Sequence, residues 1–170
     1  NGRGAKVYGC TMVGRLAVAR IFSFQGGLTL QRSRYDVAKS WSDDDKVAPE
    51  REMFRSPNFY GYMVARYTPF RNFDIDLSGT YTGSMLTPHM KGSGTDVDVA
   101  VRTPSFWDMS CKIGYEFNIM GICRLKLYTG VKNIFNSYQK DFDKGEGRDS
   151  GYIYGPSLPR SLFFGMGMNF

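Results

Sequence analysis

His89, the one histidine of the chain, stands in the segment TGSMLTPHMKG with Met85 and Met90 close by. Imidazole beside thioether could hold a soft metal or a haem iron. With no Cys or carboxylate cluster around it in sequence, His89 reads instead as a loop residue, and no metal or cofactor is assigned. The run DDD at 43–45 could attract Ca²⁺ or a cationic ligand, but a solvated loop accounts for it as well. The segment DFDKGEGRD at 141–149 has the carboxylate density of a calcium loop. Where an EF-hand needs Asp or Asn before Gly, however, it carries Gly145 and then Glu146. Cys10, Cys111 and Cys123 are an odd set with no C-x-x-C spacing, and read as small apolar residues. A single His, no G-x-S-x-G elbow and no distinct carboxylate pair leave no catalytic constellation, so the chain reads as a non-enzyme. The formal charge of +6 is spread among acids rather than gathered in a basic block, which argues against nucleic acid.

Whatever these side chains do, strands must position them. Aromatics make up 15% of the 170 residues and there are 20 Gly, a mixture that suits strands and tight turns. No apolar run approaches the roughly 18 residues of a transmembrane helix. Period-2 alternation is the dominant pattern. From 73 to 85 the odd positions are Phe73, Ile75, Leu77, Gly79, Tyr81, Gly83 and Met85, and every even one is Asp, Ser or Thr. From 107 to 119, Trp107, Met109, Cys111, Ile113, Tyr115, Phe117 and Ile119 alternate with Asp108, Ser110, Lys112, Gly114, Glu116 and Asn118. Weaker copies begin near Tyr8, Phe22, Phe59, Cys123 and Leu162, giving seven predicted strands.

The connections alternate in length. Tight turns are expected at 20–21, 68–72 and 120–122, and long polar segments at 32–57, 86–105 and 135–159. In a chain that zigzags, the short turns gather at one end and the long loops at the other. Together with strands of this length, that asymmetry predicts a transmembrane antiparallel β-barrel with short periplasmic turns and long extracellular loops. No residue of the apolar rows is charged. Closing the short turns places Arg66 beside Asp74 or Asp76, and Glu116 beside Arg124 or Lys126, as opposite charges on the lumen face. Tyr67, Phe73, Tyr115, Phe117 and Phe170 fall near the turn end and Tyr8, Phe59, Tyr81 and Trp107 near the loop end, the spacing of two aromatic girdles. A soluble β-sandwich with a wetted polar face is the alternative that charge sorting alone leaves open.

GVKNIFN at 130–136, QKDFDKG at 139–145, GYIYGPSLPR at 151–160 and a last strand ending in Phe170 resemble the C-terminal end of a TonB-dependent outer-membrane receptor, most nearly those of Bacteroides-type bacteria. The resemblance is specific near the C-terminus and diffuse before it. It implies a 22-stranded barrel closed by an N-terminal plug, importing a scarce nutrient with energy drawn from an inner-membrane complex. Seven strands cannot close an even-stranded barrel. Residues 1–170 are therefore read as its C-terminal portion, with the plug and earlier strands absent and the TonB complex engaged through that missing N-terminal region. The row Leu162, Phe164, Met166, Met168 and Phe170 matches the signal read by the barrel-assembly machinery of that family. As cargo the resemblance implies an iron–siderophore chelate ahead of cobalamin, with a surface lipoprotein as a conceivable partner. Substrate contacts are assigned to aromatic and basic loop residues, Trp41, Arg51 and Tyr154. A passive porin of the outer membrane is the rival within barrels.

Overall fold

The computed structural model describes residues 4–169. It is all-β, with strands β1 (Ala5–Val18), β2 (Phe22–Lys39), β3 (Glu50–Glu52), β4 (Phe59–Phe70), β5 (Phe73–Thr82), β6 (Leu86–His89), β7 (Val99–Arg102), β8 (Phe106–Ile119), β9 (Cys123–Lys132) and β10 (Ser161–Asn169). The seven long strands form one antiparallel sheet in the order β1-β2-β4-β5-β8-β9-β10. β3 adds to the upper part of β2, and β6 and β7 make a separate hairpin.

Register joins the seven alternating rows into two continuous faces. Met12 lies opposite Leu28, Leu28 opposite Gly61, Ala65 opposite Leu77, and Leu77 opposite Cys111. The row then passes from Cys111 to Val131 and from Val131 to Leu162. Because paired residues point to the same side, one face is apolar from edge to edge and the other carries the polar and charged rows.

The turns explain why the hairpins are tight. Ala19 (φ 50°), Asn72 (φ 68°), and Met120 and Gly121 (φ 51° and 74°) take left-handed backbone. Consecutive left-handed residues such as Met120 and Gly121 match the right-handed twist of a hairpin. The second turn is shorter than the segment expected at 68–72: an irregularity between Tyr67 and Phe70 lets β4 run on to Phe70, leaving Arg71 and Asn72 as the turn. The first hairpin is also longer than its apolar period suggested. Above Leu30 the outward row turns to Arg32 and Arg34, so the pattern reads as loop while the backbone pairs on to Ala5–Tyr35.

Hydrophobic burial is inverted relative to a water-soluble sheet. Met12, Leu162, Phe164 and Met166, all on the apolar face, are 73%, 81%, 72% and 73% exposed. The buried apolar residues Met85, Leu86, Phe106 and Tyr152 lie instead at the loop end. An apolar surface this large marks an interface, with a membrane or with other protein.

Candidate functional site

The polar face holds a lattice of ion pairs near the turn end. Arg66 Nε lies 3.2 Å from Asp76 Oδ1 and Arg66 Nη2 3.6 Å from Asp74 Oδ2, while Lys112 Nζ is 2.7 Å from Asp76 Oδ2. Arg124 Nη1 approaches Glu116 Oε1 at 3.9 Å. Lys126 is opposite Glu116 in register, yet its ammonium goes elsewhere, donating to Asp74 Oδ1 at 2.6 Å across the whole of β8. Gly114 makes that reach possible: it lies between them, and a Cβ there would sit 3.0 Å from both Asp74 Oδ2 and Lys126 Cε. Asp74 is 7% exposed and its Oδ2 has no hydrogen-bond partner, so the lattice is tightest around this carboxylate.

At the other end the long loops lock together over the polar face. The ring of His89, at the end of β6, stacks on Tyr152 at 3.7 Å and 8°. Its Nε2 lies 3.0 and 3.1 Å from the oxygens of Asp143. Asp143 Oδ2 also accepts the Asp149 amide at 3.0 Å, and Asp149 Oδ2 accepts the Met90 amide at 2.8 Å. The phenols of Tyr152 and Tyr154 both donate to Asp141. Gln139, fully buried, donates to the Tyr152 carbonyl at 3.0 Å and accepts the Tyr154 amide at 2.9 Å. Burial, then the hydrogen bond and charge of Asp141, push the Tyr152 phenol up to about 12 and raise that of Tyr154 further. The Asp149 amide, and after it His89, hold the Asp143 carboxyl below the usual range against the opposing effect of burial. The three aspartates of DFDKGEGRD, Asp141, Asp143 and Asp149, are thus occupied by amides, phenols and an imidazole. Among the described residues no group of three or more His, Cys, Asp and Glu could hold a metal ion.

Between the loops and the polar face lies a cleft of about 480 Å³, lined by Gln31, Arg55, Tyr60, Tyr62, Thr80 and Thr82 among others. Arg55 forms part of its wall. Its amide donates to the Leu86 carbonyl at 2.7 Å and its guanidinium to the Gly151 carbonyl, which ties all three long connections together. A guanidinium beside phenols and hydroxyls can bind an oxygen-rich anion and stack an aromatic ring.

The substrate residues named from sequence do not converge. Trp41 packs edge-on against Phe54 at 5.2 Å and donates Nε1 to the Ala48 carbonyl, and Arg51 donates to the Asp36 carbonyl at 2.8 Å. Tyr154 is instead in the His89 cluster, 5.9 Å from Phe106. Of the cleft residues, Arg55 lies in the long 32–57 connection with nothing in its sequence to set it apart from Arg51, while Tyr60 and Tyr62 lie outside the loops, on the polar row of β4. Their alternation with Phe59, Gly61 and Met63 was the available signal. At the C-terminus Leu162, Phe164, Met166 and Met168 form one outward row on β10; Phe170 lies outside the described residues.

No protein-family model matches the chain, and no curated protein does. Among solved structures, the ferric-catecholate import receptor Fiu of E. coli K12, in its closed form, superimposes with a TM-score of 0.69 at 21% identity, over 96% of this chain. The chain spans about a fifth of that receptor, 21% of its length. The open antiparallel sheet, with one apolar and one ion-paired face, has the fold of a β-barrel segment of that import receptor.

Proposed function

We propose that residues 1–170 are the C-terminal portion of the β-barrel of a TonB-dependent outer-membrane receptor, which actively imports a scarce nutrient. The observation that carries this reading is the edge-to-edge apolar face opposite a charged, ion-paired face whose loop end is roofed by packed loops. Trp107 and Phe117 are ten residues apart on one strand, about 34 Å at 3.4 Å per residue. At a tilt of about 45° that projects to about 24 Å, the height of an outer-membrane apolar band. The aromatic pairs Phe59–Tyr81 and Tyr81–Trp107 (5.2 and 4.7 Å) stand at its loop end and Tyr115–Phe117 (4.7 Å) at its turn end.

Within this reading the Arg66, Asp74, Asp76, Glu116, Arg124 and Lys126 lattice faces the lumen, and the outward row of β10, with the C-terminal Phe170 of the sequence, serves as the assembly signal. An iron chelate is the preferred cargo ahead of cobalamin, because the cleft offers Arg55 and two phenols and the structural neighbour is a ferric-catecholate import receptor. The test uses the full-length receptor in a strain lacking the native copy. Wild type should restore uptake of radiolabelled iron chelate, and uptake should stop when the TonB complex is removed. Uptake that persists without that complex would identify a passive pore instead. Arg55→Ala with Tyr62→Ala should lower affinity about tenfold or more, while Trp41→Ala with Arg51→Ala tests the outer loops separately.

A further inference from the structure

Above Leu30 the outward face of the β1–β2 hairpin stops being apolar and becomes basic. Lys6 pairs with Arg34 and Tyr8 with Arg32, and register puts all four side chains on the same side as Met12 and Leu28. The acids nearby are already engaged: Asp36 is 3.1 Å from Lys6, and Glu52 holds Arg102 at 2.7 Å. Among the described residues neither Arg32 nor Arg34 forms an ion pair, and both are exposed. Just below them, beginning at the girdle residues Phe59 and Tyr81, the apolar face is hollowed into a trough of about 470 Å³ walled also by Met12, Phe24, Leu28, Met63 and Trp107. Leu28 and Arg32 are four residues apart, about 13 Å along the strand.

Two guanidiniums outside any ion pair, Arg34 with the Arg102-bound Glu52 opposite it in register, stand at the rim of the apolar band over a trough within it and form a surface with two chemistries in a fixed order. Apolar annulus alone has no use for the cations, and a free anion has none for the trough. We propose that the outward face of β1 and β2 is a docking surface for a phosphorylated, multiply acylated membrane lipid, with its phosphate on Arg32 and Arg34 and an acyl chain in the trough. The inference rests on the reading of this sheet as a membrane-barrel wall with its loop end at the lipid headgroups.

The full-length receptor, purified in neutral detergent, is incubated with a bis-phosphorylated, hexa-acylated glucosamine disaccharide or with the same lipid lacking phosphate. Retained lipid is counted by native mass spectrometry. The phosphorylated form should be retained at least about tenfold more, and its retention should fall as salt rises from about 0.05 to 0.5 M. Arg32→Gln with Arg34→Gln should abolish the phosphate preference. Gly14→Leu has open space for its side chain, with nothing within 4 Å of a Cβ there. It should lower retention of both lipids by filling the trough while leaving the charge intact. Equal retention of the two lipids by wild type, or a phosphate preference that survives the double substitution, overturns the proposal. The lipid comparison and the salt series need no variant, so misfolding cannot imitate either result. A receptor that fails to insert as a barrel at all defeats the membrane reading itself; one that inserts without phosphate preference defeats only the docking surface.

Discussion

Asp74 shows how one small residue redirects a charge. Hairpin pairing was legible in the sequence, because a tight turn fixes which residues face one another: counting puts Arg66 beside Asp74 or Asp76 and Glu116 beside Arg124 or Lys126, and in the structure Arg66 meets both carboxylates while Glu116 meets Arg124. The Lys126–Asp74 contact spans three strands and depends on Gly114 having no side chain, so two-strand register could not supply it. Asp74 is buried and one of its oxygens already lacks a hydrogen bond. Lys126→Met in the full-length receptor should therefore destabilise the barrel by about 1–3 kcal/mol, the cost of an unsatisfied buried charge. The readout is the temperature at which the heat-modifiable band is lost on electrophoresis. Adding Asp74→Leu to Lys126→Met should recover most of the loss, since removing both partners leaves nothing unpaired. An equal or larger loss in the double variant would mean that Asp74 is held chiefly by Arg66.

Among the elements, strands were legible and loops were not, for a physical reason. A strand at an apolar boundary must alternate, so β5 and β8 declare themselves. The segments 83–105 and 133–160 are aperiodic and join through contacts such as His89–Asp143, 54 residues apart in sequence. That is why His89 looked like a bare loop residue, and why Trp41, Arg51 and Tyr154 were grouped by composition alone. The loop cluster has a defined pH window. The Tyr152 phenol is raised in the folded loop, so its contribution is complete below its ordinary value near 10 and disappears as pH rises through about 12. Asp143 is lowered, so its contribution is complete above the ordinary carboxylate range and disappears as pH falls through its depressed value. Protection of residues 133–160 against hydrogen exchange, taken relative to the intrinsic exchange rate at each pH, should accordingly be steady from about pH 5 to 9 and fall on both sides. Tyr152→Phe keeps the stack on His89 but loses the bond to Asp141, so it should weaken the alkaline transition to the part that Tyr154 carries through its own bond to Asp141, and keep the acid one. Protection that is insensitive to both pH and this substitution would show that backbone contacts alone hold the loops.

For the whole molecule the decisive matter is which phase meets the apolar face, and neighbouring residues on β8 put the membrane and water alternatives in direct conflict. Lys112 and Ile113 are adjacent in the chain and point to opposite sides. Lys112 is held by Asp76 at 2.7 Å on the polar face, while Ile113 pairs with Ile75 and Thr129 on the apolar one. Ile113 is also about midway between the girdle residues Trp107 and Phe117. If lipid meets this face, Ile113→Arg places a guanidinium near the midplane and costs about 2–4 kcal/mol, whereas Phe117→Arg at the interface costs about 0–1. If water meets it, Ile113 is simply an exposed side chain, and the same substitution stays within about 0.5 kcal/mol. The folded fraction of the full-length receptor in vesicles, measured against urea, should therefore fall steeply for Ile113→Arg and hardly at all for Phe117→Arg. The ranking matters more than either value, because only a membrane makes the cost of one charge depend on depth along a single strand. Equal tolerance at both positions would return the sheet to water and remove the basis for a transmembrane wall.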